Sequence, residues 1–248
     1  MNQKFDDFRN YHYQDDPLLL ANVWDASSTK LYEKLGFKAI GTSSSAVSAL
    51  LGYEDGENMP FNEYLMIISR IVESTNLPVS VDIEAGHGSD AEKVFQNIKA
   101  LSQLGVVGIN LEDSVVEEGT RSLVDADVFV KKLQSVREKL NNENIDIFIN
   151  LRIDSFLLQL PNALKDAKER IDTYSDFIDG VFLPCITSEE DIAGIISHTR
   201  LPLNVLSVPG LPDFKKLKNL GVKRISTGNS LYDFMHQQLE EKIAGMTA

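Results

Sequence analysis

Eight candidate strands, most of them short apolar runs, alternate with stretches of helical spacing and are joined without a low-complexity linker, and that alternation limits the fold more than any other feature. They fall at residues 17–23, 37–40, 78–84, 106–111, 145–151, 180–183, 204–207 and 223–226. The fourth, VVGINL, is almost wholly apolar, as a strand buried on both faces must be. Helical spacing is expected at 31–35, 46–51, 61–74, 90–104, 125–140, 158–174, 188–197 and 213–220, with Ser27 and Ser28 capping the first. Eight strands alternating with helices in 248 residues predict one (β/α)8 TIM barrel over residues 1–248. A doubly wound sheet would need a glycine fingerprint after its first strand, and NVWDASS has none.

Charge narrows the partners. Twenty-four Lys and Arg against 37 Asp and Glu give a net charge of −13, which argues against nucleic acid and anionic membranes. A small anionic substrate remains compatible if a metal and local donors reverse the field inside a site. One cysteine, Cys185, excludes an internal disulfide and a cysteine-based zinc site. No apolar stretch reaches membrane-spanning length, and the start, MNQKFDDFRNYHYQDD, is no signal peptide, so a cytoplasmic protein is expected.

In barrels of this kind catalytic residues sit where strands end. The stretch PVSVDIEAGHG, from Pro78, carries Asp82 and Glu84 two residues apart, which on a strand puts both carboxylates on one face. Such a pair is either a solvated acidic edge or the seat of a cation. The other strand ends carry Trp24 and Asp25, then Ser43, Ser44 and Ser45, then Asn110, Glu112 and Asp113, then Asn150 and Arg152. Asp82, Glu84 and Glu112, joined by Asp55, make an oxygen-rich set without histidine, which suits Mg2+, with Mn2+ as the alternative. Arg152 is placed to grip a substrate carboxylate with its planar fork, or else to neutralise those acids. The three serines offer donors to an anion, or caps to a helix. His87 is read as an acid/base or a backbone-held loop residue, Cys185 as a small buried residue, and His12, His198 and His236 as structural.

With those residues placed, the chain resembles the isocitrate lyase and phosphoenolpyruvate mutase superfamily. NVWDASS, GFKAIGTSSSAVSALLGYEDGE, PVSVDIEAGHG, GVVGINLEDS and INLRIDS stand in that family's order and spacing over nearly the whole length. The resemblance implies a barrel whose last helix is exchanged between subunits of a homodimer or homotetramer, a Mg2+ ion, and small 2-oxo acid or enolpyruvate-like substrates. It implies that Asp82 is the direct metal ligand, with Glu84, Glu112 and Asp55 acting through water. It also implies that Ser43, Ser44, Ser45 and Arg152 bind the substrate and that Trp24 lines the pocket.

Two departures bear on the reaction. Glu84 stands where the family usually has aspartate. After the fourth strand, VVEEGTRSLVD lacks the cysteine-bearing loop of the isocitrate-type lyases and the asparagine of phosphoenolpyruvate mutase. The expected function is therefore a Mg2+-dependent carbon–carbon lyase on a small 2-oxo dicarboxylic acid, of the oxaloacetate decarboxylase kind, with residues 116–124 closing over the site and Glu117 or Glu118 supplying a proton. The alternatives are P–C chemistry on phosphonopyruvate or phosphoenolpyruvate, and a non-catalytic 2-oxo acid binder.

Overall fold

The computed structural model describes residues 2–247. Helix α1 (Gln3–Tyr11) leads into β1 (Leu18–Val23), α2 (Ala26–Lys34), β2 (Ile40–Thr42), α3 (Ser44–Leu51), α4 (Phe61–Glu73), β3 (Val79–Asp82) and α5 (Ala91–Gln103). The chain continues through β4 (Gly108–Glu112), a hairpin of β5 (Ser114–Glu117) and β6 (Thr120–Leu123), α6 (Ala126–Asn142), β7 (Phe148–Arg152) and α7 (Ala163–Tyr174). It ends with β8 (Gly180–Leu183), α8 (Glu189–Ile196), β9 (Leu203–Leu206), α9 (Phe214–Leu220), β10 (Arg224–Ser226) and α10 (Ser230–Thr247). Eight strands close a parallel barrel in the order β1-β2-β3-β4-β7-β8-β9-β10, as the alternation predicts.

The alternation of side chains along each strand builds two separate interiors. Val81, Ile109, Ile149, Val181, Val205 and Ile225 point outward and are buried in the same apolar cluster as Ile68, Ile98, Leu133, Ile171 and Ile192 of the surrounding helices. Inside the barrel the amino-terminal end is closed by Phe8 of α1, which packs with Leu18, Leu20, Ala39, Val107 and Phe148. Gly108 makes that plug possible, since a Cβ there would lie 2.7 Å from the Phe8 ring. His12 stacks on Phe148 at 4.3 Å and shares a 2.8 Å hydrogen bond between its Nδ1 and the Phe8 carbonyl. Burial holds it neutral, with its pKa lowered to about 3 and Arg224 adding to the effect.

Several local expectations are corrected. The cap of α2 is Asp25, whose extended backbone lets its carboxylate accept from Ser28 N at 2.7 Å, and Ser28 Oγ answers to Asp25 N at 3.2 Å in a capping box. The second strand begins only at Ile40, and Phe37 packs against Tyr32 instead. Residues 158–162 form turns ahead of α7, because Pro161 lacks an N–H and disfavours helix in the residue before it. The hairpin and the two terminal helices were not among the expected elements. Among the described residues no helix is long and apolar enough to cross a membrane.

Candidate active site

The carboxyl ends of the strands surround a cavity of about 200 Å³. Its wall includes Ser43, Ser44 and Ser45 from the start of α3, Asp55 from the next loop, Asp82 from β3, Asn110 from β4 and Arg152 from β7. Phe182, Pro184, Leu206 and Leu157 supply its apolar part. The strand register explains the grouping, since Asp82 lies opposite Asn110, Asn110 opposite Asn150, and Glu112 opposite Arg152.

Asp82 is held on all sides. Its Oδ2 accepts from Ser44 Oγ at 3.1 Å, its Oδ1 accepts from Glu84 N at 3.3 Å, and its carbonyl accepts from Tyr64 Oη at 2.5 Å. Burial raises its pKa, Arg152 opposes the shift, and Asp55 adds to it. Ser43 spends its hydroxyl on capping α3 through Ala46 N at 3.2 Å. The first-turn N–H groups of Ser44 and Ser45 have no intrahelical acceptor, which leaves them for an anion at the helix start.

Glu84 does not share a face with Asp82. The strand ends at Asp82, and Glu84 takes φ +51°, so the two-residue alternation stops before it. Its side chain lies beside a second, smaller cavity of about 50 Å³ lined by Gly56, Glu57, Glu112 and Val116. There Glu84 Oε2 accepts from Glu57 N at 2.8 Å, while Glu57 Oε1 accepts from His87 N at 2.6 Å. Glu84 and His87 have positive φ without being glycine, so this loop is strained there, and it is pinned by Glu57. Burial, then Asp55, Asp82 and Glu112, push the Glu84 pKa up to about 9.

Glu112 is buried between two guanidinium groups. Arg121 of β6 contacts its Oε1, and Arg152 Nη1 lies 2.8 Å from its Oε2. Burial still pushes its pKa up to about 7, against the pull of Arg152. Arg152 also holds Asp154 through Nε at 2.6 Å and Nη2 at 3.0 Å. Burial is the largest influence on Arg152 and works against its charge, but Glu112 and Asp154 outweigh it and keep the guanidinium charged. Arg121 bridges to the same acids, reaching Asp154 Oδ2 at 3.3 Å and Ser114 Oγ at 2.7 Å. Sequence reasoning passed over Arg121, Asp154, Tyr64 and Glu57. Asp154 alone carried a usable signal, two residues beyond Arg152 on the same strand end.

Besides Glu84 and Glu112, which line the smaller cavity, the structure leaves three more expected residues outside the main one. Trp24 is buried and meets the Tyr232 ring edge-on at 5.2 Å, beneath α10. His87 packs against Phe61 and Tyr64, with Nε2 buried, unbonded and 4.0 Å from Glu84 Oε1; burial lowers its pKa. Glu117 is exposed at the tip of the hairpin. Cys185 takes φ +66° and has its thiol pKa raised by burial.

The donor set is compatible with a hard divalent cation. Among the described residues, no three His, Cys, Asp or Glu side chains converge on one point as direct ligands. The acids nevertheless crowd together: Asp55, Asp82 and Glu112 help raise the pKa of Glu84, Asp55 helps raise that of Asp82, and Asp82 helps raise that of Glu112, an excess of negative charge that a cation holding several waters would relieve.

Fold and site together define a (β/α)8 barrel with an acidic, oxygen-lined pocket at the carboxyl ends of its strands. The chain belongs to the phosphoenolpyruvate phosphomutase family, whose model matches residues 8–247. It is 32% identical over 226 residues to an uncharacterized protein of Mycobacterium tuberculosis (strain CDC 1551 / Oshkosh), covering 91% of this chain and 83% of the other. It is 24% identical to oxaloacetate decarboxylase 2 of Pseudomonas putida (strain W619), covering 86% and 70% respectively. A Burkholderia cenocepacia J2315 crystal structure, provisionally named a phosphonomutase, superposes with a TM-score of 0.92 at 34% identity, covering 98% of this chain and all of that one. Further relatives are named phosphoenolpyruvate phosphomutase and 2-methylisocitrate lyase, and a structural neighbour is a 2,3-dimethylmalate lyase named as a member of the phosphoenolpyruvate mutase/isocitrate lyase superfamily.

Proposed function

We propose that this protein is a Mg2+-dependent lyase that cleaves a carbon–carbon bond in a small 2-oxo dicarboxylic acid, with oxaloacetate decarboxylation as the representative reaction. One observation carries the reading: Asp82, Asp55, the serine-rich start of α3 and Arg152 line one small cavity. Acid, anion donors and cation there match the polar ends of such a substrate. Asp82 would hold the ion directly, with Asp55, Glu84 and Glu112 acting through its waters. When bound, Mg2+ supplies positive charge that stabilises negative charge developing on the 2-oxo oxygen.

The chain's own groups do the rest. The N–H groups of Ser44 and Ser45 receive the carboxylate next to the 2-oxo group. Arg152, fixed by Asp154 and Glu112, cannot swing away and presents its charge to the cavity. The β5–β6 hairpin, fastened by Arg121, screens the smaller acidic cavity from water through Val115 and Val116. Glu117 points to solvent, so a proton from it would require the hairpin to move.

Incubating the protein with Mg2+ and a panel of 2-oxo dicarboxylic acids tests this reading; it predicts pyruvate release, and no turnover of any of them would sink it. The 34% identity to the protein provisionally named a phosphonomutase favours P–C chemistry as the second reading, for which phosphate release from phosphonopyruvate is the sign.

The same reading extends to assembly. Helix α10 leaves Phe234, Leu239, Ile243 and Met246 exposed. A groove of about 440 Å³ lined by Leu19, Leu35, Phe37 and Phe214 stands open between α2 and α9, where a barrel's last helix would pack. We infer that α10 of a second copy fills it, in a homodimer or homotetramer.

A further inference from the structure

Beneath the cavity lies a charged residue that neither the metal nor the carboxylate reading uses. Arg224, at the start of β10, is 1% exposed. It donates from Nε to Ser226 Oγ at 3.3 Å and from Nη2 to Asn110 Oδ1 at 3.2 Å, while its Nη1 is buried without a partner. Asn204 Nδ2, beside it, is also buried without a partner. Donors left unmatched this deep are costly unless something anionic or polar sits near them.

Asn110 connects that cation to the cavity. Its Oδ1 receives a second donor, Asn150 Nδ2, at 2.9 Å. Two donors on the oxygen fix which way the amide points. The Nδ2 of Asn110, which takes part in neither bond, is left for the cavity that Asn110 lines. Ser226, on the same wall, is oriented in turn by donating to Asn204 Oδ1 at 3.1 Å. The rim of the cavity is thus acidic and the floor carries an amide donor backed by a buried positive charge, with Phe182 and Leu206 as apolar wall between.

We propose that the Asn110 amide receives the second acidic group of the substrate, the one remote from the 2-oxo carboxylate. Arg224 is the positioning residue that orients Asn110 and supplies charge beneath it, so the pair sets a preference for ligands that carry a second acidic group beyond the 2-oxo acid end over ligands that lack one. This inference rests on the 2-oxo acid reading above and names the part of the site that selects substrate length and charge.

Asn110→Asp tests it cleanly, because the variant keeps the acceptor oxygen for Arg224 and Asn150 and reverses only the cavity-facing donor. The measurement is the dissociation constant, in Mg2+, of oxalate, which has no remote acid, and of 3,3-difluorooxaloacetate, which has one. The expected result is a tenfold or greater loss for difluorooxaloacetate and a change of threefold or less for oxalate. Arg224→Met shows the same selective loss, and Arg224→Lys, which keeps the charge, recovers part of it. Unchanged binding of both ligands, or an equal loss of both, overturns the inference while leaving the 2-oxo acid reading standing. Failure of the unmodified protein to bind either ligand overturns both.

Discussion

Replacing Arg121 with alanine is the most informative single perturbation of the site's scaffold. Arg121 and Arg152 share two carboxylates, Glu112 and Asp154, whose side chains are 2% and 0% exposed. Two positive and two negative charges balance there, and removing Arg121 leaves two buried acids on one guanidinium. Breaking a buried pair costs about 3–5 kcal/mol. Arg121 is 17% exposed, and Glu112 titrates near 7, so taking up a proton limits the loss at neutral pH. The expected destabilisation is therefore about 2–3 kcal/mol at pH 7, or a fall in Tm of about 4–12 °C for a chain of this size.

The pH dependence of that loss has a definite sign. Without Arg121 the folded-state pKa of Glu112 rises further above its unfolded value, so the folded variant holds a proton that the unfolded chain gives up. Stability is then lost as pH rises through the folded pKa, and the gap between variant and parent widens from pH 6 to pH 9. Urea unfolding at three pH values measures it, and Arg121→Lys restores part of the loss. A destabilisation under about 1 kcal/mol, or one that is the same at pH 6 and pH 9, would refute the charge-balance account.

Other expectations concern the plug, the last helix and the metal. His12 has a folded pKa lowered to about 3, so its stabilisation is full above pH 6.5 and is lost as pH falls toward 3. By pH 5 that amounts to about 2 kcal/mol, and His12→Phe removes this part of the acid sensitivity; parallel urea-stability curves for the two proteins would count against it. Ile243→Glu on α10 shifts the protein to a monomer in light scattering, whereas an unchanged mass would show that α10 is not the contact. Asp82→Asn weakens Mg2+ binding at least tenfold, and an unaltered titration would remove Asp82 as the ligand.

The barrel was legible because periodicity survives burial: each outward Val or Ile that closes the wall against a helix also marks its strand in the sequence. Of the candidate site, the grouping of Ser43, Ser44, Ser45, Asp55, Asp82 and Arg152 around one cavity was legible by position, since strand ends converge wherever the side chains point. What the sequence hid was direction. Glu84 looked like a partner on the face of Asp82, but a left-handed backbone turned it into the neighbouring cavity. Trp24 looked like pocket lining, yet its ring goes under α10 because Tyr232 is there to meet it. Arg121 was missed because only the hairpin folds residue 121 back onto residue 112, and its turn, EEGT, carries a weak signal. The N-terminal plug was missed for the same reason, because Phe8 acquires its meaning from Gly108, a hundred residues later.

The mouth of this barrel is proposed to hold a planar, enolpyruvate-like anion together with a divalent cation on Asp82. Calorimetric titration of oxalate into the protein, with Mg2+ and then with chelator, tests it most directly. One oxalate per chain is expected in the presence of Mg2+, with at least a tenfold loss of affinity on adding chelator and a comparable loss in Asp82→Asn. Oxalate binding that is indifferent to both metal and Asp82, or no binding at all, would contradict it.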